Sequence, residues 1–405
     1  MERLNEDLWI YILNYLPMQD QLSVASVNAN IQSYVRYFWR HLKNVHLTVE
    51  VLEDFRSKKS LMSDSVPYWA GSVQNLKITR GRMQMLRNLH AFSFPHVQKL
   101  DCEMEYNLDY GDEETMLLTV LFPNLTHLTL NSSTTGYHLW RWKQLKELNL
   151  VWCEYLDTFT FEEVFKNLKL KKLKLLYYGY NVTLDSGVTD ITYCTTLEEL
   201  VIDDHHLLGE FLPRLVRLPN FRRLAFYTRD YYEGLLHNLA KVAPLKVRSL
   251  LFNDAFWSSE RVTDAMGKMS NLRRLVFQDD DIESQLLHTV CHKLKHLEEL
   301  HLLKMRDLPT PNQLWDMVGA CPSLKILNLS STKLCQQFIE PSTSYMTRVF
   351  VNRSSPLTLH LSATGLDPKR VLPAMQHTNL IISFEPIKLD IWSTRFVEVG
   401  FDPNL

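Results

Sequence analysis

Leu145-Lys146-Glu147-Leu148-Asn149-Leu150 holds the pattern that decides this chain: apolar, two variable residues, apolar, one variable, apolar. Period-2 alternation puts Leu148 and Leu150 on one side of a short strand and Glu147 and Asn149 on the other. The spacing recurs at Leu125, Leu128 and Leu130; at Leu170, Leu173 and Leu175; at Leu297, Leu300 and Leu302; and at Leu324, Leu327 and Leu329. Looser copies begin at Val73, Val97, Leu197, Phe221, Val247 and Leu272. Successive first anchors stand between 20 and 28 residues apart.

A period in the mid-twenties with this core is the signature of a leucine-rich repeat. One such strand cannot bury its apolar side alone, so neighbours stack and the strands join into a parallel sheet. Between strands, Leu286, Leu287, Val290, Cys291 and Leu294 share one face of a helical pattern. Pro95, Pro123, Pro219 and Pro322 stand two residues ahead of a first anchor, where proline ends a helix and favours extended backbone. The 20-residue step from Leu125 to Leu145 leaves room for a loop rather than a full helix. The predicted fold is an α/β leucine-rich-repeat solenoid, a horseshoe with a parallel inner sheet and outer helices, preceded by a small all-α module. Residues 1–45 form that module, 46–339 the repeats, and 340–405 degenerate final repeats and a cap.

At 405 residues the chain is too long for one ordinary core, and a solenoid with a small appended domain suits that length. A formal charge of −2 argues against a nucleic-acid partner, which leaves a basic footprint. Six cysteines occur singly, with no C-x-x-C pair, and read as small buried hydrophobes in a reducing compartment. The start of the chain lacks the pattern of a secretory signal, and no apolar run is long enough to span a bilayer. These features predict a cytoplasmic or nuclear protein with no membrane partner, and make the five N-x-[ST] sequons fortuitous. No Gly-rich phosphate loop or G-x-S-x-G elbow appears. His288, Cys291, His292 and His296 lie at helical offsets, but the apolar face claims Cys291 and a zinc site needs convergent ligands. The expectation is a non-catalytic binding protein without cofactor or metal.

The first 45 residues have their own pattern. Leu4, Leu8, Ile12 and Leu16 fall at spacing four, Trp9, Ile10 and Leu13 add a second stripe, and Leu22, Val27, Ile31, Val35 and Trp39 continue into further short helices. Residues 4–22 and the later Val27 and Trp39 resemble the F-box, although Asn5 stands where that family usually has Pro. Followed directly by leucine-rich repeats, the chain resembles an F-box and leucine-rich-repeat protein. The resemblance implies a substrate receptor of an SCF-type ubiquitin ligase. Its helices would bind the Skp adaptor, and through it a cullin and a RING protein, while the repeats hold a protein substrate for ubiquitination. Leu4, Leu8, Ile12, Leu16, Leu22 and Val27 are the expected adaptor contacts, since so small a bundle leaves apolar surface to cover. The competing expectation is a leucine-rich-repeat scaffold or inhibitor with no ubiquitin role.

The variable positions of each strand point away from the core and line the groove. Lys172, Lys174, Glu199, Asp203, Arg223 and Arg274 supply its charges in the middle repeats, and Tyr177, Tyr178, Tyr227 and Trp257 its rim aromatics. Aromatic anchors with interleaved charges are the usual material of protein-binding hot spots. The four basic groups suit a ligand carrying carboxylates or phosphate. These ten residues are the candidate substrate site.

Overall fold

The computed structural model describes all residues except 1–5, 108, 110, 177–189, 204–210, 228–231, 256–258, 281–283, 307, 335–337, 352, 354, 403 and 405. Of the candidate site residues, Leu4, Tyr177, Tyr178 and Trp257 lie outside the described set. The chain divides into two units, Met1–Leu197 and Glu198–Leu405.

The first unit opens with three short helices, α1 (Glu6–Tyr15), α2 (Met18–Ala25) and α3 (Ala29–Trp39). Pro17 separates the first two in extended backbone, and the Asn28 side chain caps the third by accepting from the Ile31 N–H at 2.9 Å. Of the two apolar stripes on α1, the one carrying Trp9 and Leu13 faces inward, against Leu22, Ile31, Val35 and Trp39. Gln21 is buried among them. Its Nε2 donates to the carbonyls of Leu13 and Leu16 at 3.1 and 2.8 Å, and its Oε1 accepts from Trp39 Nε1 at 2.7 Å. A buried amide is tolerated because its polar atoms are satisfied.

Six strands follow: β1 (Asn44–Leu47), β2 (Asn75–Gly81), β3 (Lys99–Met104), β4 (His127–Asn131), β5 (Glu147–Val151) and β6 (Lys172–Leu176). All pair in parallel, and the register sets Val45, Leu76, Leu100, Leu128, Leu148 and Leu173 side by side. β1 is a copy beyond those marked by the spacing above, and its signal is present as Leu42, Val45 and Leu47. Helices α4 (Val49–Ser57), α5 (Lys59–Trp69), α6 (Met83–Leu89), α7 (Gly111–Leu121) and α8 (Thr158–Asn167) connect them. The 20-residue step carries only a 3-10 turn, Leu139–Arg141. Trp142 fills the space left behind it and donates its Nε1–H to the Phe122 carbonyl at 2.8 Å. Trp69, Phe94 and Phe122 pack in a row from repeat to repeat, their rings tilted, with centres 5.7 and 5.2 Å apart.

One hydrogen-bond device recurs at the entry to the strands. The Gln98 carbonyl accepts both Thr126 N–H and His127 N–H of the next repeat, as the Arg273 carbonyl accepts from Glu298 and Glu299. A second device follows the strand. Trp152, Asp254, Asp279 and Ser331 each stand seven places after a first anchor with φ of 59°, 48°, 56° and 63°. The left-handed turn directs each N–H to a carbonyl of the next repeat, namely Leu176, Gln278, Leu303 and Ser362. Those bonds offset the strain of a left-handed residue bearing a Cβ.

The second unit begins with β7 (Glu199–Ile202) and β8 (Arg223–Tyr227), which pair in parallel. Further on, β9 (Val247–Asn253), β10 (Arg274–Gln278), β11 (Glu299–Leu303), β12 (Ile326–Asn328), β13 (Leu357–His360) and β14 (Leu380–Ser383) pair in parallel in that order. The helices α9 (Tyr232–Val242), α10 (Glu260–Lys268), α11 (Ser284–Lys293), α12 (Pro311–Ala320), α13 (Ile339–Val351) and α14 (Pro368–Ala374) alternate with them. Thr310 and Gln313 close a capping box on α12, with Pro311 in its first turn.

β8 and β9 do not pair with each other. The last strand of the chain, β15 (Phe396–Phe401), lies between them and runs antiparallel to both. The Arg222 carbonyl, at the position that elsewhere accepts from the following repeat, accepts the Phe401 N–H at 2.9 Å. Val397 and Val399 point into the core with no exposed surface. Gly400 passes so close to Ser249 that a Cβ there would meet Ser249 Oγ at 2.2 Å. Residues 340–405 therefore do more than extend and cap the repeats, because their final strand returns to the middle of this unit's sheet. The described units have a leucine-rich-repeat fold, one parallel strand per repeat, with this one antiparallel insertion.

Candidate functional site

In the N-terminal helices, burial of the Trp9 and Leu13 stripe turns the other stripe outward. Leu8 is 47% exposed, Ile12 and Leu16 are half-buried, and Tyr11 and Tyr15 stand beside them with their rings 5.1 Å apart. Val27, between α2 and α3, is 59% exposed. Leu22 is not part of this surface. It is only 3% exposed and belongs to the bundle core, so the expectation of Leu22 as an adaptor contact is corrected: the inward face of α2 needs it.

The strand face turned away from the helices is the open face of each unit. In the first unit it is polar and lined by His46, Asn75, Lys77, Asp101, His127 and Glu147. The sign alternation from repeat to repeat has a local purpose. Lys77 pairs with Asp101 at 3.1 Å, and Glu147 lies 3.5 Å from both His127 Nε2 and Lys172 Nζ. Asn149 Nδ2 donates to Thr129 Oγ1 at 3.1 Å. Charges on adjacent strands thus neutralise one another, as opposite cross-strand pairs do. Lys174 is half-buried, and burial lowers its pKa. At the strand ends Trp152 is 47% exposed, and Tyr155 meets Tyr106, the two hydroxyls 2.5 Å apart. That contact pushes the Tyr106 hydroxyl up to about 12.

In the second unit part of the open face is covered by the chain itself. Leu251, Val276 and Leu303 form an apolar patch there, and Leu389 and Ile391 of the segment before β15 pack on it. Beside the patch His301 is fully buried, with Nε2 3.2 Å from Glu299 Oε2 and Nδ1 3.1 Å from Asn328 Nδ2. Burial lowers the His301 pKa, while Glu299 pulls it up. Asn328, one of the sequons, is 1% exposed.

Glu199, Arg223 and Arg274, three of the predicted substrate residues, meet in one pocket with Arg222, Asp390 and Glu398. Arg223 Nη2 and Nε donate to Glu398 Oε2 at 2.8 and 3.2 Å, and Nη1 lies 3.3 Å from Asp390. Burial works against the charge of Arg223, and Glu398 and then Asp390 outweigh it, so its pKa is raised. Arg274 Nε stands 3.4 Å from Glu299, and Glu199 accepts from Arg222 at 2.9 Å. Asp203 is half-buried just after β7. The half-buried Tyr227 faces Phe396, ring centres 5.4 Å apart. Two expectations are corrected. Arg223 is not an unpartnered groove charge, since β15 brings Glu398 to it and the segment ahead of β15 brings Asp390. Tyr227 is not a free rim aromatic, since β15 packs against it. Lys172 and Lys174 belong to the first unit and the other described candidates to the second. Sequence reading missed Glu398, Asp390, Leu389 and Ile391, although the alternation Phe396-Val397-Glu398-Val399 was a strand signal.

Five described cysteines, Cys102, Cys153, Cys194, Cys291 and Cys321, are buried free thiols. Burial, as the largest cause, pushes the thiols of Cys102 and Cys153 up, that of Cys153 to about 12. Among the described residues no group of three or more His, Cys, Asp or Glu side chains is arranged to hold a metal ion. No helix among them is long and apolar enough to cross a membrane.

No protein-family model matches the chain, and no curated protein matches it. Solved structures do. TLR13 in its complex with ssRNA13 is similar over 86% of this chain at 15% identity and a TM-score of 0.40. This chain spans 62% of that TLR13 chain. A leucine-rich-repeat protein of Leptospira interrogans is similar at 15% identity and a TM-score of 0.35, covering 87% of this chain and 98% of the other. A Bacteroides fragilis protein is similar over 66% of this chain and 76% of its own, at 14% identity and a TM-score of 0.32.

Proposed function

We propose that this chain is a protein-binding leucine-rich-repeat receptor that serves as the substrate-recognition subunit of an SCF-type ubiquitin ligase. It performs no chemistry itself. The N-terminal helices bind the Skp adaptor, and the repeats bind a protein destined for ubiquitination by a partner enzyme. The observation that carries this reading is the bundle α1–α3, set directly ahead of the repeats. It commits Trp9 and Leu13 to its core and leaves Leu8, Tyr11, Tyr15 and Val27 exposed. Exposed apolar surface of this kind on a small module marks an interaction site.

The test is co-elution of the purified chain with a purified Skp adaptor on size exclusion. The reading predicts a one-to-one complex that Leu8→Asp or Val27→Asp disrupts without changing the circular dichroism of the chain. Absence of a complex with the folded wild type would leave a repeat scaffold without a ubiquitin role.

A further inference from the structure

The open face of β8–β11 combines two chemistries in adjoining places. Leu251, Val276 and Leu303 make an apolar patch on positions where leucine-rich-repeat strands ordinarily turn polar residues outward. Next to it, Arg222, Arg223 and Arg274 border one pocket. The segment between β14 and β15 spans both. The Glu385 carbonyl lies 3.3 Å from His360 Nδ1 on β13, Leu389 and Ile391 sit on the patch, and Asp390 reaches Arg223. Asn253 Nδ2 then holds the Trp392 carbonyl at 2.8 Å.

We propose that this face is a binding site for extended protein segments bearing an acidic residue between two aliphatic ones, presently filled by the chain's own Leu389, Asp390 and Ile391. The two parts of the C-terminal segment are held very differently. β15 is hydrogen-bonded on both sides, with Val397 and Val399 fully buried. Between the backbone anchors at Glu385 and Trp392, the strap is held through the partly exposed side chains of Leu389 and Ile391, and the Asp390 side chain is 89% exposed in its ion pair. With its carboxylate in solvent, this pair contributes modestly and exchanges readily. Arg223 keeps its buried partner Glu398 when Asp390 leaves, so an incoming carboxylate finds the guanidinium already oriented. The aliphatic pair at i and i+2 sets the register of an extended segment on the patch. A partner segment therefore competes with the strap while β15 stays in the sheet.

The proposal deepens the repeat-surface half of the function above and rests on it only in taking the partner to be a protein. The probe is a fluorescein-labelled peptide of residues 385–395, added to the full-length chain and followed by anisotropy. The variant Leu389→Ser/Ile391→Ser, which removes the internal competitor, is expected to bind the probe at least tenfold more tightly than the wild type. A probe carrying Asp390→Lys should bind that variant at least tenfold more weakly. Should the double variant not fold, the full-length Asp390→Lys chain, altered at an exposed position, carries the test with a several-fold gain. Folded variants that bind no better than the wild type, or an Asp390→Lys probe that binds as well as the native one, would overturn the proposal. A Leu8→Asp chain that loses the adaptor but binds the probe normally separates this site from the adaptor reading.

Discussion

Arg223 of β8 and Glu398 of β15 are 175 residues apart in sequence and joined by two hydrogen bonds, 2.8 and 3.2 Å, to the same carboxylate oxygen. The other carboxylate oxygen accepts the Trp392 N–H at 2.6 Å, so Glu398, only 7% exposed, has a partner on each side. Removing the guanidinium strands a buried carboxylate, whereas removing both charges does not. Arg223→Ala is expected to destabilise the protein by about 2–3 kcal/mol, with Arg223→Ala/Glu398→Gln recovering part of the loss. Chemical denaturation of the single and double variants measures it. An Arg223 substitution consequently damages the fold before it reports on any partner.

Gly400 and Ser249 test the insertion sterically. A Cβ on Gly400 would overlap Ser249 Oγ but would sit an ordinary 3.5 Å from Ser249 Cβ. Gly400→Ala is expected to cost about 1–2 kcal/mol through overpacking, and Gly400→Ala/Ser249→Ala to regain most of it. Thermal melts of the two variants decide this. Equal melting points would mean that the two residues do not touch.

Gln21 is the polar keystone of the N-terminal bundle. Gln21→Leu removes the partner of Trp39 Nε1 and of the Leu16 carbonyl, while the Leu13 carbonyl keeps the Leu16 N–H, an expected loss of about 1–3 kcal/mol. Adaptor binding should fall with it, unlike in Leu8→Asp, where binding falls and the melting point does not.

Glu114 makes stability depend on pH. It is 2% exposed, and burial pushes its carboxyl up to about 7, with Ser132 opposing and Glu113 adding to the rise. A raised carboxylate pKa means that the folded chain holds the proton longer than the unfolded one. The stability it carries is therefore greatest below the unfolded value, near 4.5, and is lost as pH climbs through about 7. Glu114→Gln should melt higher than the wild type at about pH 8 and approach it at about pH 4. A melting-point difference independent of pH would contradict the assignment.

Local pattern made the repeats legible. Leu148 and Leu150 fall on one side of a strand by period alone, and stacking turned Leu76, Leu100, Leu128 and Leu148 into one row. The missed β1 carried the same signal in Leu42, Val45 and Leu47. Which stripe of α1 faces inward was not legible, because Leu8/Ile12 and Trp9/Leu13 are equally apolar and only packing against Trp39 and Gln21 chooses between them. The open face of the second unit was illegible for another reason. Its contents depend on a pairing between Glu398 and Arg223 for which no spacing rule exists. Groove charges read as ligand contacts were instead partnered at home, Lys172 by Glu147 and Arg274 by Glu299.

Both the corrected site and the peptide proposal rest on β15 lying in the sheet between β8 and β9. Hydrogen–deuterium exchange of the full-length protein tests this most directly. The account predicts that amides 396–401 exchange as slowly as those of β9, at the rate of global opening, while amides 387–391 exchange orders of magnitude faster. Fast exchange through 396–401, with β9 still protected, would contradict it.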